Sequence, residues 1–281
     1  MDELIRKMQQ DMEIQNYSPR TVEAYLFHVK RFQLYLHKPL DQVTVDDIRS
    51  YLYHVKKEKH YSRSSLHQAF SAIKYLYRHT LKMPIELREL KGPKRDQKLP
   101  LVLSANEIHA ILNRTGNNKH RLVLMTLYSG GLRLNEGIHL RITDIDSQRM
   151  TIRVRQGKGN RDRYTLLSTV LLKELRLYWL RERPDPWLFP GQKKNKPLSE
   201  TTIQKAFQRA RQDAGIRKEA SVHTLRHSFA THLLEQGVNL FTIKELLGHK
   251  SIRSTLIYLH LQKPGTAHIV NPLDQLLPGL K

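Results

Sequence analysis

Three short stretches near the C-terminus carry the most information about this chain: Ser221-Val222-His223-Thr224-Leu225-Arg226-His227, Leu247-Gly248-His249 and Thr255-Leu256-Ile257-Tyr258-Leu259-His260. Together they place a guanidinium, several imidazoles and a phenol within a short span of sequence. A His-x-x-Arg pair alone would only mark one face of a helix, because residues three apart are neighbours on a helix surface. All three stretches in one chain are much less common, and they single out one candidate site.

Basic residues dominate the charge of the chain. Its 281 residues include 48 Lys+Arg against 26 Asp+Glu, a formal net charge of +22. Residues 1–100 carry 19 basic and 12 acidic residues, and residues 101–281 carry 29 and 14, so both halves are basic. Neither half contains a run of five like charges, which favours two folded basic surfaces over a disordered basic arm. Nucleic acid is therefore the expected partner.

Composition excludes several classes of protein. The chain has no cysteine, which rules out disulfides, thiolate zinc sites and a cysteine nucleophile. Residues 1–6 lack the apolar run of a signal peptide, and no segment approaches the ~18 apolar residues of a membrane span. We expect a soluble, cytoplasmic protein that has no membrane partner.

The N-terminal third has the pattern of a four-helix domain. After a first segment over residues 2–16, hydroxyl side chains precede three runs of apolar residues at helical spacing. These helix starts are Ser18 with Pro19, Thr44 and Ser62. Periodicity alone is equally compatible with any small helical bundle.

A linker separates this domain from a second one. Residues 92–100 have two prolines, several charged side chains and no helical period. Ser104 and Glu107 then match a capping box, which predicts a helix start. We predict a helical domain over residues 1–91, a linker over 92–103, and a second domain over 104–281 with a tail from about residue 264.

The second domain is predicted to be mainly α with one β-hairpin. Residues 150–155 alternate apolar with polar or basic side chains, which is the period of a half-buried strand. A second strand is predicted over residues 161–166, after Gly157-Lys158-Gly159-Asn160, whose glycines suit a tight turn. Lys158 therefore lies in a turn, where a solvated lysine is the ordinary interpretation.

The chain resembles the tyrosine recombinases of the phage-integrase family, and is most similar to Xer-like and integron or transposon integrases. Beyond the C-terminal stretches, Tyr17-Ser18-Pro19-Arg20-Thr21 resembles the opening of the core-binding domain, and Gly131-Leu132-Arg133-Leu134-Asn135-Glu136 resembles the first arginine motif. The family usually has Thr-Gly before this Leu-Arg, where the chain has Gly130-Gly131. The resemblance spans about residues 17–262. It implies a mainly α, two-domain DNA clamp that breaks and rejoins DNA through a phosphotyrosine bond.

The resemblance also assigns the groups that would contact the phosphate. Arg133 and Arg226 would stabilise its developing negative charge, because the planar guanidinium fork binds two phosphate oxygens. His223 and His249 would hydrogen-bond the scissile phosphate, with His223 also a candidate acceptor for the proton of the attacking phenol. Glu136, one turn after Arg133, is expected in a supporting position.

Tyr258 is implied as the nucleophile and Lys158 as the general acid for the leaving 5′ oxygen. A phenol with a pKa near ~10 is weakly nucleophilic at neutral pH, so it needs an adjacent base or a positive field. The phosphotyrosine ester would conserve the energy of the DNA bond, which removes any need for ATP. His227 is expected to pack beside the site.

A metal site is the alternative interpretation of the histidines. His223 and His227 have the i, i+4 spacing of a zinc helix, yet Thr224 stands where that motif has its glutamate, and no thiolate is present. We therefore expect no metal and no cofactor, with the arginines as charge stabilisers.

The implied partners are double-stranded DNA with inverted-repeat core sites and, on two such sites, three further copies of the chain in a homotetramer. The free protein is expected to be a monomer. Base contacts are expected from a helix over residues 199–214, through Lys205, Gln208, Arg209 and Gln212. An apolar tail after residue 264 would dock on a neighbouring copy or on its own domain. The alternatives are a non-catalytic DNA-binding protein of the same fold and a type IB topoisomerase.

Overall fold

The computed structural model describes residues 2–83, 92, 99–157, 161–193 and 195–261 of the chain. It divides the chain into two compact units, residues 1–97 and 98–281. Most described residues are helical and the described strands form one small sheet, which confirms the predicted mainly α fold. The predicted bounds of the domains and of the 92–103 linker stay predictions, since residues 84–91 and 93–98 lie outside the described residues.

Among its described residues, the N-terminal unit has the α-helices α1 (Asp2–Ile14), α2 (Pro19–Tyr35), α3 (Val45–Lys57) and α4 (Arg63–Tyr75). A 3₁₀ turn, Leu40–Gln42, precedes α3, and a π-helical turn, Leu76–Thr80, follows α4. The predicted helix starts are confirmed, because the side chains of Ser18, Thr44 and Ser62 accept hydrogen bonds from first-turn amides. The apolar faces form a core that includes Met8, Phe32, Ile48 and Ile73.

The described helices of the C-terminal unit are α5 (Ala105–Arg114), α6 (Asn118–Ser129), α7 (Leu134–Ile138), α8 (Thr169–Glu182), α9 (Glu200–Asp213), α10 (Val222–Glu235), α11 (Leu240–Leu247) and α12 (Arg253–Leu256). Two 3₁₀ turns, Ile142–Asp144 and Ile257–Leu261, complete the set. Ser104 and Glu107 form the predicted capping box at the start of α5. The main core includes Leu122, Leu127, Phe189, Phe207 and Leu225.

The sheet is a three-stranded antiparallel meander of β1 (Ile145–Asp146), β2 (Thr151–Gly157) and β3 (Arg161–Leu166). Ile152 and Val154 face the core, as the alternation predicts. The register of β2 and β3 shifts between Val154 and Gly157. The predicted hairpin is therefore confirmed, while its turn over residues 158–160, with Lys158, lies outside the described residues.

A second, smaller core joins α10, α11 and the last 3₁₀ turn. It includes Phe229, Ala230, Ile243, Leu247 and Tyr258. This packing brings the three C-terminal stretches together, so that His227 and Tyr258 meet although they are 31 positions apart in the sequence. The predicted apolar tail, residues 264–281, lies outside the described residues. Within the described part of the chain, no helix is both long and apolar enough to span a membrane.

Candidate active site

Helix α10 begins after Ser221, whose amide donates a hydrogen bond to the Thr224 hydroxyl at 3.0 Å. The helix presents His223, Arg226 and His227 from its first two turns, because residues three and four apart share one side of a helix. The rings of His223 and His227 meet edge to face, with centroids 4.8 Å apart. One helix thus places a guanidinium and two imidazoles side by side.

Arg226 connects two distant loops beneath the site. Its side chain is 2% exposed. One terminal nitrogen donates a hydrogen bond to the Gly131 carbonyl at 2.7 Å, and the other donates to the Leu247 carbonyl at 2.6 Å. Desolvation and the nearby Arg133 lower its pKa to about 9, against the opposing effect of Glu136. The guanidinium is therefore charged at neutral pH.

The first arginine motif begins with a turn that requires glycine. Gly131 has a φ of +58°, and a Cβ at this position would lie 2.4 Å from the Phe229 ring. The turn leads into Arg133, whose amide donates a hydrogen bond to Glu136 Oε2 at 2.8 Å and whose guanidinium donates to Oε1 at 2.7 Å. The Arg133 side chain is 27% exposed, so it remains open to a bound anion.

Glu136 is the common partner of three guanidinium groups. Its side chain is 9% exposed, and Arg163 of β3 donates to both of its oxygens, at 3.0 and 2.7 Å. Arg226 lies 3.8 Å from the same carboxylate. Burial would raise the pKa of Glu136, but hydrogen bonds and charges from Arg163 and Arg133 lower it to about 2. The carboxylate is ionised and offsets only part of the positive charge around it.

Sequence reasoning did not single out Arg163. In the hairpin it pairs with the buried Val154, so it lies on the inward face of the sheet, and its side chain is 10% exposed. Its Nε also donates a hydrogen bond to the Leu246 carbonyl at 3.0 Å. The signal that could have found it is the strand alternation, which places an arginine on the apolar face.

Tyr258 lies in the last 3₁₀ turn and is 1% exposed. Its hydroxyl is 3.1 Å from Nδ1 of His227, within hydrogen-bonding distance. Its ring stacks on His249, with centroids 6.4 Å apart and an angle of 10° between the planes. Burial raises the pKa of the Tyr258 phenol, while the charge of Arg226 acts in the opposite direction.

The contacts of the phenol differ in one respect from what the sequence suggested. His227, rather than the expected His223, contacts the hydroxyl of Tyr258. The positive field does not offset burial, so the pKa of the phenol is raised. Burial, together with the charges of His223 and Arg226, lowers the pKa of His227 to about 4. The His227 ring is therefore neutral at pH 7 and can accept a proton.

The second of the three stretches forms the turn after α11. Gly248 ends the helix in the left-handed conformation, with a φ of +64°. His249 follows, and its Nδ1 lies 3.0 Å from the Thr255 hydroxyl. Burial and the nearby Arg226 lower the pKa of His249 to about 3. The same two causes lower the pKa of His223, so these imidazoles are neutral hydrogen-bonding groups.

Helix α9 matches the helix that we expect to contact bases. Lys205, Arg209 and Gln212 are exposed on it. Gln208 is different, because its amide nitrogen donates to the Ala220 carbonyl at 3.0 Å and its oxygen accepts from Arg211 at 3.0 Å. Both polar groups of the Gln208 side chain are thus engaged within the protein, where they stabilise the loop before α10, and the base contact expected of Gln208 stays a prediction.

A cavity of 430 Å³ lies between α9 and the start of α10, and His223 forms part of its wall. The other lining residues are Leu134, Glu200, Gln204, Gln208, Ser221 and Val222. The cavity gives the His223 ring access from outside the protein. A phosphodiester could approach the site from this side.

The structure thus brings together five of the six expected catalytic residues, from the turn before α7, from α10, from the turn after α11 and from the last 3₁₀ turn. They are Arg133, His223, Arg226, His249 and Tyr258. The sixth, Lys158, lies outside the described residues. Within the described part of the chain, no three His, Cys, Asp or Glu side chains are grouped to hold a metal ion.

Comparison with known families and proteins identifies close relatives. Residues 102–264 match the phage integrase family, and residues 4–87 match the N-terminal SAM-like domain of phage integrases. A Sinorhizobium fredii protein named as an integrase/recombinase is 39% identical, over 99% of this chain and 90% of the relative. The tyrosine recombinase XerA of Pyrococcus furiosus is 32% identical, over 99% and 97%.

Solved structures share the fold. A XerA recombinase is 28% identical and superimposes with a TM-score of 0.53, covering 99% of this chain and 97% of that one. A lambda integrase fragment, solved as a dimer on a core site, has a TM-score of 0.73 at 19% identity, covering 92% and 94%. At 19% identity, the similarity to the lambda integrase fragment shows a shared fold and nothing more.

Proposed function

The chain belongs to the phage integrase family of tyrosine-type site-specific recombinases, and we propose that it cleaves and rejoins DNA through a 3′-phosphotyrosine intermediate. The observation that carries this proposal is the convergence of Tyr258 with two arginines and three imidazoles in one site. In the proposed reaction the Tyr258 oxygen forms a bond to the phosphorus. The bond from phosphorus to the 5′ oxygen breaks, and that oxygen takes up a proton.

The electrostatics of the site suit this reaction. The pentacoordinate phosphorus carries more negative charge than the phosphodiester, so fixed cations stabilise it preferentially. Arg133 and Arg226 are held by the Glu136 carboxylate and by backbone carbonyls before any substrate arrives. The neutral His223 and His249 can donate hydrogen bonds to phosphate oxygens.

The phenol needs a proton acceptor and access to the phosphate. His227 is the neutral imidazole at its hydroxyl and is our proposed acceptor, in place of the expected His223. With 1% of its surface exposed, Tyr258 must leave its packed position before it can reach DNA. We propose that the described arrangement is the resting state and that DNA binding exposes the phenol.

Lys158 is proposed as the general acid that protonates the leaving 5′ oxygen. This assignment rests on the family resemblance of Gly157-Lys158-Gly159 in the sequence between the two strands, and a lysine can act as an acid near neutral pH when desolvation or other cations lower its pKa. Cleavage by Lys158→Ala should be slow on normal DNA and should be restored by a 5′-bridging phosphorothioate, whose leaving group needs no proton. Absence of rescue would return Lys158 to the role of a solvated turn residue.

The assembly is also part of the proposal. Relatives of this fold include a lambda integrase tetramer bound to a Holliday junction and a XerH recombinase bound to a palindromic substrate. We propose that this chain, a monomer when free, binds inverted-repeat DNA with both domains as a clamp. Four copies on two sites would pass through a four-way junction in the cytoplasm, with α9 contacting DNA through Lys205, Arg209 and Gln212.

A nicked suicide substrate tests the function. The substrate is a duplex from DNA flanking the gene, at a site that footprinting shows the protein protects. Wild-type protein should become attached at a 3′ phosphate, and the reaction should persist in excess EDTA. Tyr258→Phe should bind the duplex equally well and form no adduct, whereas the control Tyr164→Phe, at an exposed tyrosine, should react normally. An adduct in Tyr258→Phe would falsify the assignment.

The same substrate separates the alternatives. A non-catalytic DNA-binding protein would protect the duplex and form no adduct with either tyrosine variant or with wild type. A type IB topoisomerase would relax a supercoiled plasmid that carries a single site. A recombinase should instead require two sites and should yield recombinant products of defined topology.

A further inference from the structure

Two arginines hold the same pair of loops beneath the candidate site. Arg226 donates hydrogen bonds to Gly131 and Leu247. Arg163 donates to Glu136 and to Leu246. Each guanidinium therefore links the segment 131–136, which carries Arg133, with the segment 246–248, which precedes His249.

The two arginines differ in what else they can reach. Arg226 lies beside Tyr258 and the imidazoles, where desolvation and then its charge lower the pKa values of His223 and His249. Arg163 approaches from the sheet on the other side, with both terminal nitrogens on the Glu136 carboxylate and Nε on a backbone carbonyl. All three of its nitrogens thus have partners within the protein, and none of these contacts involves the candidate nucleophile.

The stem of Arg163 also fixes the turn before His249. Gly248 is in the left-handed conformation, and a Cβ there would lie 2.7 Å from Arg163 Cδ and 3.0 Å from Nε. The backbone of Gly248 is therefore in direct contact with the arginine. Any shift of Arg163 would move this turn, because the neighbouring carbonyl of Leu246 is hydrogen-bonded to the same side chain.

We propose that Arg163 is a positioning residue, which sets the distance between Arg133 and His249 so that both can contact one phosphate. It acts on Arg133 through the shared Glu136 carboxylate, and on His249 through Leu246 and Gly248. A bidentate guanidinium–carboxylate pair has a defined geometry as well as charge, so lysine cannot reproduce it. The inference rests on the proposed cleavage reaction, since the pair of contacts matters only when a phosphate is bound.

Arg163→Met removes the link and keeps much of the apolar stem. Displacing a phosphate contact by about 1 Å typically costs about 100-fold in rate, so single-turnover cleavage of the suicide substrate should slow by roughly that factor. The dissociation constant for the duplex should change less than about threefold, because a buried side chain makes no DNA contact. The matched control is Arg153→Met on the neighbouring strand, where the arginine forms an exposed pair with Asp162; its cleavage rate should equal that of wild type.

A double-mutant cycle distinguishes positioning from general support of the fold. If Arg163 acts through His249, then adding Arg163→Met to His249→Ala should cost clearly less than it costs in wild type, since coupled residues are not additive. The proposal would be overturned if the rate losses of Arg163→Met and His249→Ala multiplied in the double variant. It would also be overturned if Arg163→Met alone cleaved as fast as the Arg153→Met control. Arg163→Lys, which keeps the charge without the fork, should be about tenfold slow; wild-type speed in that variant would also overturn it.

These outcomes are separate from those of the proposed function. If wild-type protein forms the Tyr258 adduct and Arg163→Met cleaves as fast as the control, the recombinase mechanism stands and only the positioning role is lost. If wild-type protein forms no adduct at Tyr258, the mechanism itself is wrong. Circular dichroism and the thermal midpoint of each variant establish that the compared proteins are folded.

Discussion

Replacing Glu136 with glutamine removes the carboxylate that three arginines share. The side chain is 9% exposed and its carboxylate accepts hydrogen bonds from Arg133 and Arg163. Glutamine has nearly the same shape, so the variant changes the charge of the cluster and little of its packing. Three guanidinium groups would then lie close together without a counterion, and the folded state should lose stability.

The magnitude follows from the pKa of Glu136, which is lowered from 4.5 to about 2. That difference corresponds to roughly 3 kcal/mol of stability, because each pH unit between the two values contributes about 1.4 kcal/mol. Removing one partner of a buried ion pair typically costs ~3–5 kcal/mol, which agrees. Because the pKa is lowered in the folded state, the contribution is complete above about pH 4.5 and is lost as the pH falls towards 2.

Denaturant unfolding of wild type and Glu136→Gln at several pH values measures this contribution. The unfolding free energies should differ by about 3 kcal/mol at pH 7, and the difference should narrow to roughly 1 kcal/mol at pH 3. Asp162→Asn, which alters an exposed ion pair of the hairpin, is the control, and its effect at pH 7 should be at most about 1 kcal/mol because exposed ion pairs contribute little. A difference that is the same at pH 7 and pH 3 would refute the reasoning, because it could not arise from ionisation of Glu136.

Three further predictions follow from other parts of the site. Gly248→Ala should destabilise the protein and slow cleavage, because it combines a left-handed backbone, which costs ~1–2 kcal/mol, with a steric clash. Gly215→Ala is its matched control: φ there is +70° but nothing lies within 4 Å, so denaturation should show the backbone cost alone and cleavage should be normal. His227 and His249 have lowered pKa values of about 4 and about 3. Because the unfolded chain takes up these protons first, the free energy of unfolding of wild type should decline as the pH falls below 6.5. Replacing either histidine with glutamine should make the free energy of unfolding depend less on pH. If the tail docks on a neighbouring copy, truncation after Pro264 should abolish cooperative binding to a full site and leave half-site binding intact in mobility-shift assays. Unchanged cooperativity would exclude docking on a neighbour. Insoluble protein would indicate that the tail packs within its own chain.

The local structure could be predicted because its causes are local. The hydroxyl caps at Ser18, Thr44, Ser62 and Ser104 begin helices wherever they occur, since each satisfies first-turn amides from within four residues. The alternating pattern of β2 and β3 likewise predicted a hairpin without reference to the rest of the chain. The identities of the candidate catalytic residues came from the family resemblance and from their spacing in three short stretches.

Contacts between distant segments could not be predicted in this way. Arg163 lies twenty-seven residues after Glu136 and eighty-three before Leu246, and no spacing rule connects such positions. Which of the two histidines, His223 or His227, contacts Tyr258 depends on how the last 3₁₀ turn packs against α10. Gln208 was expected to face DNA, because a helix pattern does not reveal that a neighbouring loop uses its amide.

By itself the sequence determined the elements, the basic charge and the residue types able to stabilise, attack and protonate a phosphodiester, because each of these is written in side chains and short-range spacing. Only the tertiary structure decided which groups are hydrogen-bonded to one another and which charges lie close together. Burial and the second core settle that Tyr258 is enclosed with a raised pKa, and that Glu136 is ionised among three arginines. The physical reason is that solvation and Coulomb energies depend on distances in space, which packing sets and chain order does not.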